Sequence, residues 1–500
     1  MKRYVLMRTL RSLLSIFLVI TLTYTIVYTM VPRKLIFKQD PNYAKQVTTP
    51  DKKTNYENTV YKRMGYIDYY GSKELRQKAS RLDKTVTTDA TKTNEKIYKK
   101  YINSLGHGWI LKRFKDSKQF YAVREIPVYE RVWHFYANLI QIDHPWKIKD
   151  ASNPNLERYI RIENDKSVGW SVVGSGTQHK YLLYFNGLFP YIHQNFITFN
   201  LGTSYPTYSG IPVLTVISQG QGTTALKDVT FPTGITKPSS INIYSRTYKS
   251  PSKADAQDKA NFGNGDAYTE TTSNYTDPSM ISNSFKIGIV GVILSYLLAL
   301  PLGLLMARFK NGLFDRLSTG MLTFMLAIPS VATIYIIRYF GTLVGLPDSF
   351  PLLGAADMRS YVLPALVLGV LGMPGTAVWF RRYLVDEQNN DYIRFARAKG
   401  LSEAELSKNH LFKNAMVPIA NGIPGAIVGV IGGATLTESI FAFPGMGKMM
   451  LDSIKAANNS MVVGLVLIFT LVAVLSLLAG DILMSIIDPR IKLSTKGGKK

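Results

Sequence analysis

The chain has no cysteine. Disulfides, thiol nucleophiles, Cys-ligated zinc and iron–sulfur clusters are therefore excluded. Histidine is scarce: His107, His134, His144, His179, His193 and His410 form no HExxH motif and no close pair, so structural histidines are the default reading and no metal site is expected. Acidic residues are outnumbered, 34 against 59 Lys and Arg, which leaves a formal net charge of +25. The basic residues are spread along the chain instead of forming one aromatic-studded patch. A membrane surface explains them better than nucleic acid, and no nucleic-acid partner is expected. Catalytic signatures are missing as well. Gly445 to Lys448 lacks the first glycine of a phosphate loop, because Ala442 holds that place, and Met449 replaces the magnesium-binding Ser or Thr. Gly174-Ser175-Gly176 has no nucleophile-elbow frame.

What the chain does have is long, nearly uncharged apolar runs: Leu13 to Met30, Ile287 to Ala307, Met321 to Phe340, Tyr361 to Phe380, Ala415 to Leu436 and Met461 to Ile487. Each reaches roughly the 20 residues that cross a bilayer as a helix, which predicts about six membrane spans. The first run follows Lys2, Arg3 and Arg8 but is too long for a secretory signal, and no small-x-small cleavage site follows Met30, so it reads as a retained helix. Arg308, Lys310 and Arg316, then Arg381 and Arg382, then Arg490, Lys492, Lys496, Lys499 and Lys500 fall on one side of the spans. The alternate connections, 341–360 and 437–460, are nearly charge-balanced. By the positive-inside rule both termini are cytoplasmic.

Four parts follow: 1–31 with the first helix, a 32–283 extracellular insert of mixed α/β structure, a 284–487 helical core, and a 488–500 cytoplasmic tail. Within the insert, Lys34 to Lys99 reads as short exposed helices with loose connections. Trp109 to Leu201 carries Trp133, Phe135, Tyr136, Trp146, Trp170, Tyr181, Tyr184 and Phe185, and is expected to supply the packed core. VLTVIS from Val213, DVTFPTG and SINIYSRTY suggest strands, and Ser250 to Ser279 reads as polar linker.

The core's cytoplasmic loop, 381–414, holds DYIRFARAKGLSEAELSKNHLFKNAMVP, Asp391 to Pro418. Asp391 is a candidate N-cap for a helix through Lys399, and Gly400 sits where a left-handed residue would end it. Ser402 and Glu405 have capping-box spacing for a second helix ending near Pro418. Tyr392, Phe395, Ala396 and Lys399 share a face, while Arg394 and Arg397 project elsewhere.

This stretch, above all ARAKGLSE from Ala396 to Glu403, resembles the EAA loop by which ABC importer permeases dock their ATPases, in its peptide-permease form. ALPLGLLMARFKNGLFDRL (Ala299 to Leu317), LPALVLG (Leu363 to Gly369), ESIFAFPGMGKMM (Glu438 to Met450) and GDILMSIIDPRI (Gly480 to Ile491) resemble the B-type subunit of oligopeptide permeases, and FITFNLGTSYPTYSGIPVLTVI (Phe196 to Ile217) resembles the segment after its first helix. The resemblance implies an all-α polytopic permease without an ATPase site, in the plasma membrane of a Gram-positive bacterium, importing oligopeptides. It implies as partners a second homologous permease subunit, two ABC ATPase subunits that bind ATP and magnesium, a lipid-anchored extracellular peptide-binding protein, the peptide, and membrane lipid. Tyr392, Phe395, Ala396, Arg397, Gly400, Leu401, Ser402 and Glu405 are then the expected ATPase-coupling residues. Pro329, Pro374, Gly425 and Gly429 are candidates for the translocation pathway, since prolines and glycines in spans free carbonyls or allow close approach. Arg338, Glu438 and Asp481 lie at span ends, where snorkelling is the favoured reading. A dipeptide or nickel permease, a membrane-anchored surface receptor and a secondary transporter are the rival readings.

Overall fold

The structure, a computed structural model, describes residues 2–142, 144, 146, 158–165, 169–175, 180–185, 191–194, 196–218, 227–231, 233–239, 241–245, 256–262, 270–273 and 278–487. The tail at 488–500 lies outside them.

The chain opens with α1 (Lys2–Met30) and enters the insert through α2 (Tyr43–Gln46), α3 (Pro50–Arg63), β1 (Ile67–Tyr70), α4 (Ser72–Ala79), α5 (Lys92–Ser104), β2 (Trp109–Arg113) and β3 (Phe120–Glu125). It continues through α6 (Val128–Leu139), β4 (Ile140–Ile142), β5 (Ile160–Asp165), β6 (Gly169–Gly174), β7 (Lys180–Phe185), β8 (Ile192–Gln194), β9 (Ile197–Phe199), α7 (Val213–Ser218), β10 (Lys227–Thr230), β11 (Thr236–Ser239), β12 (Ile241–Ser245), α8 (Ala256–Phe262) and β13 (Glu270–Ser273). The helical body follows: α9 (Met280–Arg308), α10 (Leu313–Ala327), α11 (Ser330–Leu343), α12 (Arg359–Gln388), α13 (Asp391–Ala398), α14 (Glu403–Leu406), α15 (Lys413–Gly433), α16 (Thr435–Ile440), α17 (Met446–Lys455) and α18 (Asn459–Ile487).

Among the described residues, five helical stretches are long and apolar enough to cross a membrane: Leu6–Met30, Met280–Arg308, Arg359–Gln388, His410–Ile440 and Asn459–Ile482. The expected straight span from Met321 to Phe340 is instead a bent pair, α10 and α11, meeting at 107°. The break has a local cause. Pro329 lacks an N–H and pushes the residue before it out of the helical region, and Ile328 is extended at φ −70°, ψ 131°. Helices α9 and α12 approach closely because glycines face leucines across the contact. A Cβ on Gly291 would lie 2.6 Å from Leu368 Cβ, and one on Gly369 would lie 2.7 Å from Leu294 Cβ.

Three sequence expectations for the insert are corrected. VLTVIS is helix α7, with Val213, Val216 and Ile217 buried at i, i+3, i+4 spacing, so the β-branched run follows tertiary packing instead of its strand propensity. The expected linker from Ser250 contributes α8 and a strand, β13, paired antiparallel with β12. The aromatic segment supplies only part of the core: Trp133, Trp146, Trp170 and Phe185 are exposed and Phe135 and Tyr136 are half-buried, while Phe114, Phe120, Tyr121 and Tyr184 are buried. The core is shared with the segment read as loose: Ile36, Phe37, Tyr66, Tyr69, Leu75 and Tyr98 are buried with Phe120 and Val123 around the antiparallel sheet β1-β3-β2, two of whose strands come from the aromatic segment. Its tyrosines carry enough ring area to bury and a hydroxyl that finds a partner, as Tyr98 does at the Thr87 carbonyl.

The same core runs on into the helical body. Ile20, Tyr24 and Tyr28 of α1, Tyr66 and Tyr205 of the insert, and Met449, Met461 and Leu465 of α17 and α18 form one buried cluster. Polar ties cross the same seam: Asn459 Nδ2 donates to the Tyr66 hydroxyl at 2.5 Å, Asn458 Nδ2 donates to Ser204 Oγ at 2.8 Å, and the Tyr28 and Ser460 hydroxyls meet at 3.2 Å.

Candidate coupling surface

Helix α13 leaves the end of α12 as a short arm. Asn390, extended at ψ 144°, holds the N-cap position without a side-chain bond. The N-cap expected at Asp391 is therefore displaced by one residue: Asp391 is the first helical residue, where its carboxylate complements the helix N-terminus and lies 3.5 Å from Arg394. At the far end Gly400 takes φ +83°, its N–H donates to the Arg397 carbonyl at 3.0 Å, and the Leu401 N–H reaches the Ala396 carbonyl at 3.3 Å. That is a Schellman turn, closed by the residue that carries no Cβ penalty in this conformation. The capping box also forms. The Ser402 N–H donates to Glu405 Oε2 at 2.9 Å, and the Glu405 N–H donates to Ser402 Oγ at 3.3 Å. The bond from the Ser402 backbone, with that from its hydroxyl, holds the Glu405 carboxyl below the usual carboxylate range.

Sequence reasoning ended the second helix near Pro418; the structure does not. A π-helical turn, Ser407–Phe412, links α14 to α15, and Pro418 and Pro424 lie inside α15. The wide turn lets the arm run into a span without a break.

What fastens the arm is Ile393, a residue the sequence reading passed over. It is fully buried among Ala307 of α9, Phe380 and Leu384 of α12, and Leu411, Ala415 and Ile419 on the way into and along α15. It is the only aliphatic residue larger than alanine in DYIRFARA, a signal outweighed by the aromatics on either side. The Tyr392 hydroxyl donates to Glu387 and accepts from Asn414 Nδ2 at 2.7 Å, tying the arm's first turn to α12 and α15. Opposite this anchored side, Phe395 is 70% exposed. Arg397 is also exposed and bonds Glu403 through Nε at 2.7 Å and Nη2 at 3.2 Å. Tyr392, Gly400, Ser402 and Glu405 are exposed, and Ala396 and Leu401 are half-buried. The expected coupling residues thus come together on one arm whose roots lie in three long helices.

The pathway candidates do not converge in this way. Gly425 and Gly429, one turn apart, are exposed on α15 with open space where a Cβ would stand. Pro374 is buried in α12, and Pro329 is exposed at the α10–α11 bend.

Of the three charged span-end residues, none simply snorkels. Arg338 Nη2 bonds Asp348 at 2.8 Å, and Asp481 pairs with Arg8 of α1 at 2.5 Å. Glu438 is fully buried, accepting from Ser284 Oγ at 2.7 Å and from the Lys448 N–H at 2.8 Å, while Ser284 Oγ accepts from the Met446 N–H at 2.8 Å. Cβ atoms on Gly445 and Gly447 would lie 2.3 and 3.0 Å from its carboxylate, so the glycines of PGMGK make room for it. A half-buried ion pair joins α10 to α12: Arg381, read from sequence only as a topology charge, meets the buried Asp315 through two bonds at 2.6 and 2.5 Å.

A body of long apolar helices bearing a rigid, exposed arm has the build of a membrane transport permease. Residues 299–493 match the family model described as binding-protein-dependent transport system inner membrane component. Over 499 residues, all of this chain and all of the relative, the sequence is 66% identical to the oligopeptide transport system permease protein AmiC of Streptococcus pneumoniae serotype 4. The dipeptide transport system permease protein DppB of Lactococcus lactis subsp. cremoris is 30% identical over 234 residues, 47% of this chain and 76% of its own. DppB of Bacillus subtilis is 29% identical over 215 residues, 43% of this chain and 69% of its own. The chain belongs to the family of binding-protein-dependent inner membrane components and is a permease subunit of an ABC importer. The family match begins at residue 299, so the insert is an elaboration outside it.

Proposed function

We propose that this permease carries oligopeptides across a bacterial plasma membrane of the Gram-positive type, and that the α13 arm is where separate ATPases drive it. The cargo reading is supported by the full-length likeness to a permease of that name. In this reading the chain catalyses no reaction and holds no cofactor. Two ABC ATPase subunits bind ATP and magnesium, a second homologous permease subunit completes the pathway, and a lipid-anchored binding protein delivers peptide to the outer side. Both termini and the arm are cytoplasmic, and the 32–283 insert is outside, as the basic residues of the loops favour.

The observation that carries the coupling reading is the contrast within one short helix: Ile393 is buried among three long helices while Phe395 stands in solvent. An exposed aromatic on a rigid arm suits insertion into a groove, and the anchored side passes any displacement to α9, α12 and α15. When the ATPases close on ATP, the arm is dragged, and those helices turn between outward-open and inward-open states.

The test is purification of the tagged protein from its membrane in mild detergent, with co-purifying chains identified by mass spectrometry, with and without Gly400→Val. At φ +83° with open space around it, valine meets no clash except that of its own backbone, a cost of about 1–2 kcal/mol confined to the turn. Two ATPases and a second permease should accompany the wild type, and the ATPases should be lost from the variant while insertion persists. A protein recovered alone from complexes otherwise intact, or peptide uptake unchanged in the variant, would overturn the reading.

A further inference from the structure

Two polar layers mark the ends of α1. At one end Tyr28 meets Ser460, Tyr66 meets Asn459, and the Arg131 guanidinium lies 5.9 Å from the Tyr28 ring centre and 5.3 Å from that of Tyr66. At the other, Arg8 pairs with Asp481. Positions 8 and 28 of a helix are about 30 Å apart at 1.5 Å per residue, and so nearly are positions 460 and 481 of α18. That separation equals the hydrocarbon thickness of a bilayer, and tyrosines and arginine are the side chains that favour its edge.

Helix α6 belongs to the insert, yet it runs down α1 below the Tyr28 layer. Phe135 lies 5.4 Å from Tyr24, and the Tyr136 ring lies 4.9 Å from Phe17. The Tyr136 hydroxyl donates to the Phe17 carbonyl at 2.9 Å and lies 3.0 Å from Thr21 Oγ1. Thr21 and Phe17 are about 10 and 16 Å along the helix from Tyr28. From Val132 to Ile142 the sequence VWHFYANLIQI holds no Asp, Glu, Lys or Arg, and Asn138 satisfies its amide on the His134 carbonyl at 2.8 Å. Trp133 is 73% exposed, and at the foot of α6 the β4–β9 ribbon leaves Ile142 and Phe199 each 55% exposed. At this depth α1 is apolar and exposed too, at Leu18 and Leu22.

We infer that the lower half of α6 and the β4–β9 ribbon are sunk in the membrane leaflet nearest the insert, with acyl chains covering Ile142 and Phe199 and Trp133 at the headgroup boundary. The insert is then held by lipid as well as by its seam with α1 and α18. Depth along α1, the charge-free stretch and continuity with the apolar face of α1 all select lipid as the occupant.

Because the chain has no cysteine, single substitutions can be labelled cleanly. Ile142→Cys, Phe199→Cys and Trp133→Cys are spin-labelled in the protein purified with its co-assembling chains and reconstituted in nanodiscs. Leu14→Cys serves as the lipid-facing reference and Lys96→Cys as the aqueous one. Labels at Ile142 and Phe199 should be relaxed several-fold more by oxygen than by a water-soluble nickel chelate, as at Leu14, with Trp133 intermediate and Lys96 reversed. A second measurement avoids the cysteine variants: brominated lipid should quench the tryptophan fluorescence of the wild type more than that of Trp133→Phe. Labels at Ile142 and Phe199 that respond like Lys96 would overturn the inference, as would protection from both relaxants, which would put a protein partner there. Quenching unchanged by Trp133→Phe would overturn the placement of α6.

Discussion

The turn at Gly400 is closed by bonds between near neighbours, Leu401 to Ala396, Gly400 to Arg397, Ser402 to Glu405, whereas Glu438 finds its hydroxyl partner 154 positions back in the chain, at Ser284. Both segments interrupt the helical body with polar residues. The first leaves Phe395 in solvent and spends little tertiary structure on its shape, and the second buries a carboxylate and shapes two glycines around it. The difference is one of range: a turn held by bonds between near neighbours is stable on its own, and a joint between distant helices is stable only when they are together.

Four experiments sharpen the contrast. The largest effect is expected at the joint. Gly445→Ala would drive a Cβ to 2.3 Å from the Glu438 carboxylate, costing about 1–3 kcal/mol or more. Glu438→Ala leaves Ser284 and the Lys448 N–H without their acceptor, at about 2–4 kcal/mol. The double variant should be less destabilised than the sum, since the truncated side chain frees the space the new methyl needs; additive shifts in thermal unfolding would break this account of the PGMGK glycines.

Next comes Ile393→Ala. It should cost about 3 kcal/mol at the root of the arm, seen as faster hydrogen exchange in α13, with ATP-driven uptake reduced and the rest of the body unaffected. Uniform exchange rates before and after would mean the arm is not fastened there.

Phe395→Ala should leave thermal stability within about 0.5 kcal/mol, as exposed substitutions do, yet reduce recovery of the ATPases. Undiminished recovery would remove Phe395 from the docking surface.

The smallest effect is a pH dependence. The Glu405 carboxyl is held down by the Ser402 backbone and hydroxyl, so its capping contribution is fully present above the ordinary carboxylate pKa and fades as pH falls through the lower folded value. Exchange in α14, taken relative to the intrinsic amide rate at each pH, should therefore rise on acidification, and Glu405→Gln should flatten that dependence. A wild type with no such rise would show that the capping box adds nothing to the arm.

The spans, the Gly400 turn and the capping box were legible because each depends on short-range chemistry: hydropathy over a window, a left-handed position, a serine three residues before a glutamate. The proline bend at Ile328–Pro329 was foreshadowed by the same chemistry but hidden by a continuous apolar run. Asp315 and Ser284 were not legible, because nothing near them in sequence distinguishes an anchor from an ordinary aspartate or serine, and the aliphatic signal of Ile393 was outweighed by the aromatics on either side. The insert shows the limit most plainly. Texture divided it into a loose segment and an aromatic core, yet Tyr66, Tyr69 and Tyr98 of the first part are buried and Trp133, Trp146 and Trp170 of the second are exposed.

Length and apolar runs were enough to mark membrane spans, since bilayer thickness acts on any chain regardless of its fold, and the resemblance carried by the 396–403 phrase and the other family phrases pointed to an importer subunit. Which carboxylates are buried, which helix roots the arm and where the insert meets α1 and α18 were decided only once distant segments shared a core. The free energy of those contacts belongs to pairs of residues that the linear order does not bring together.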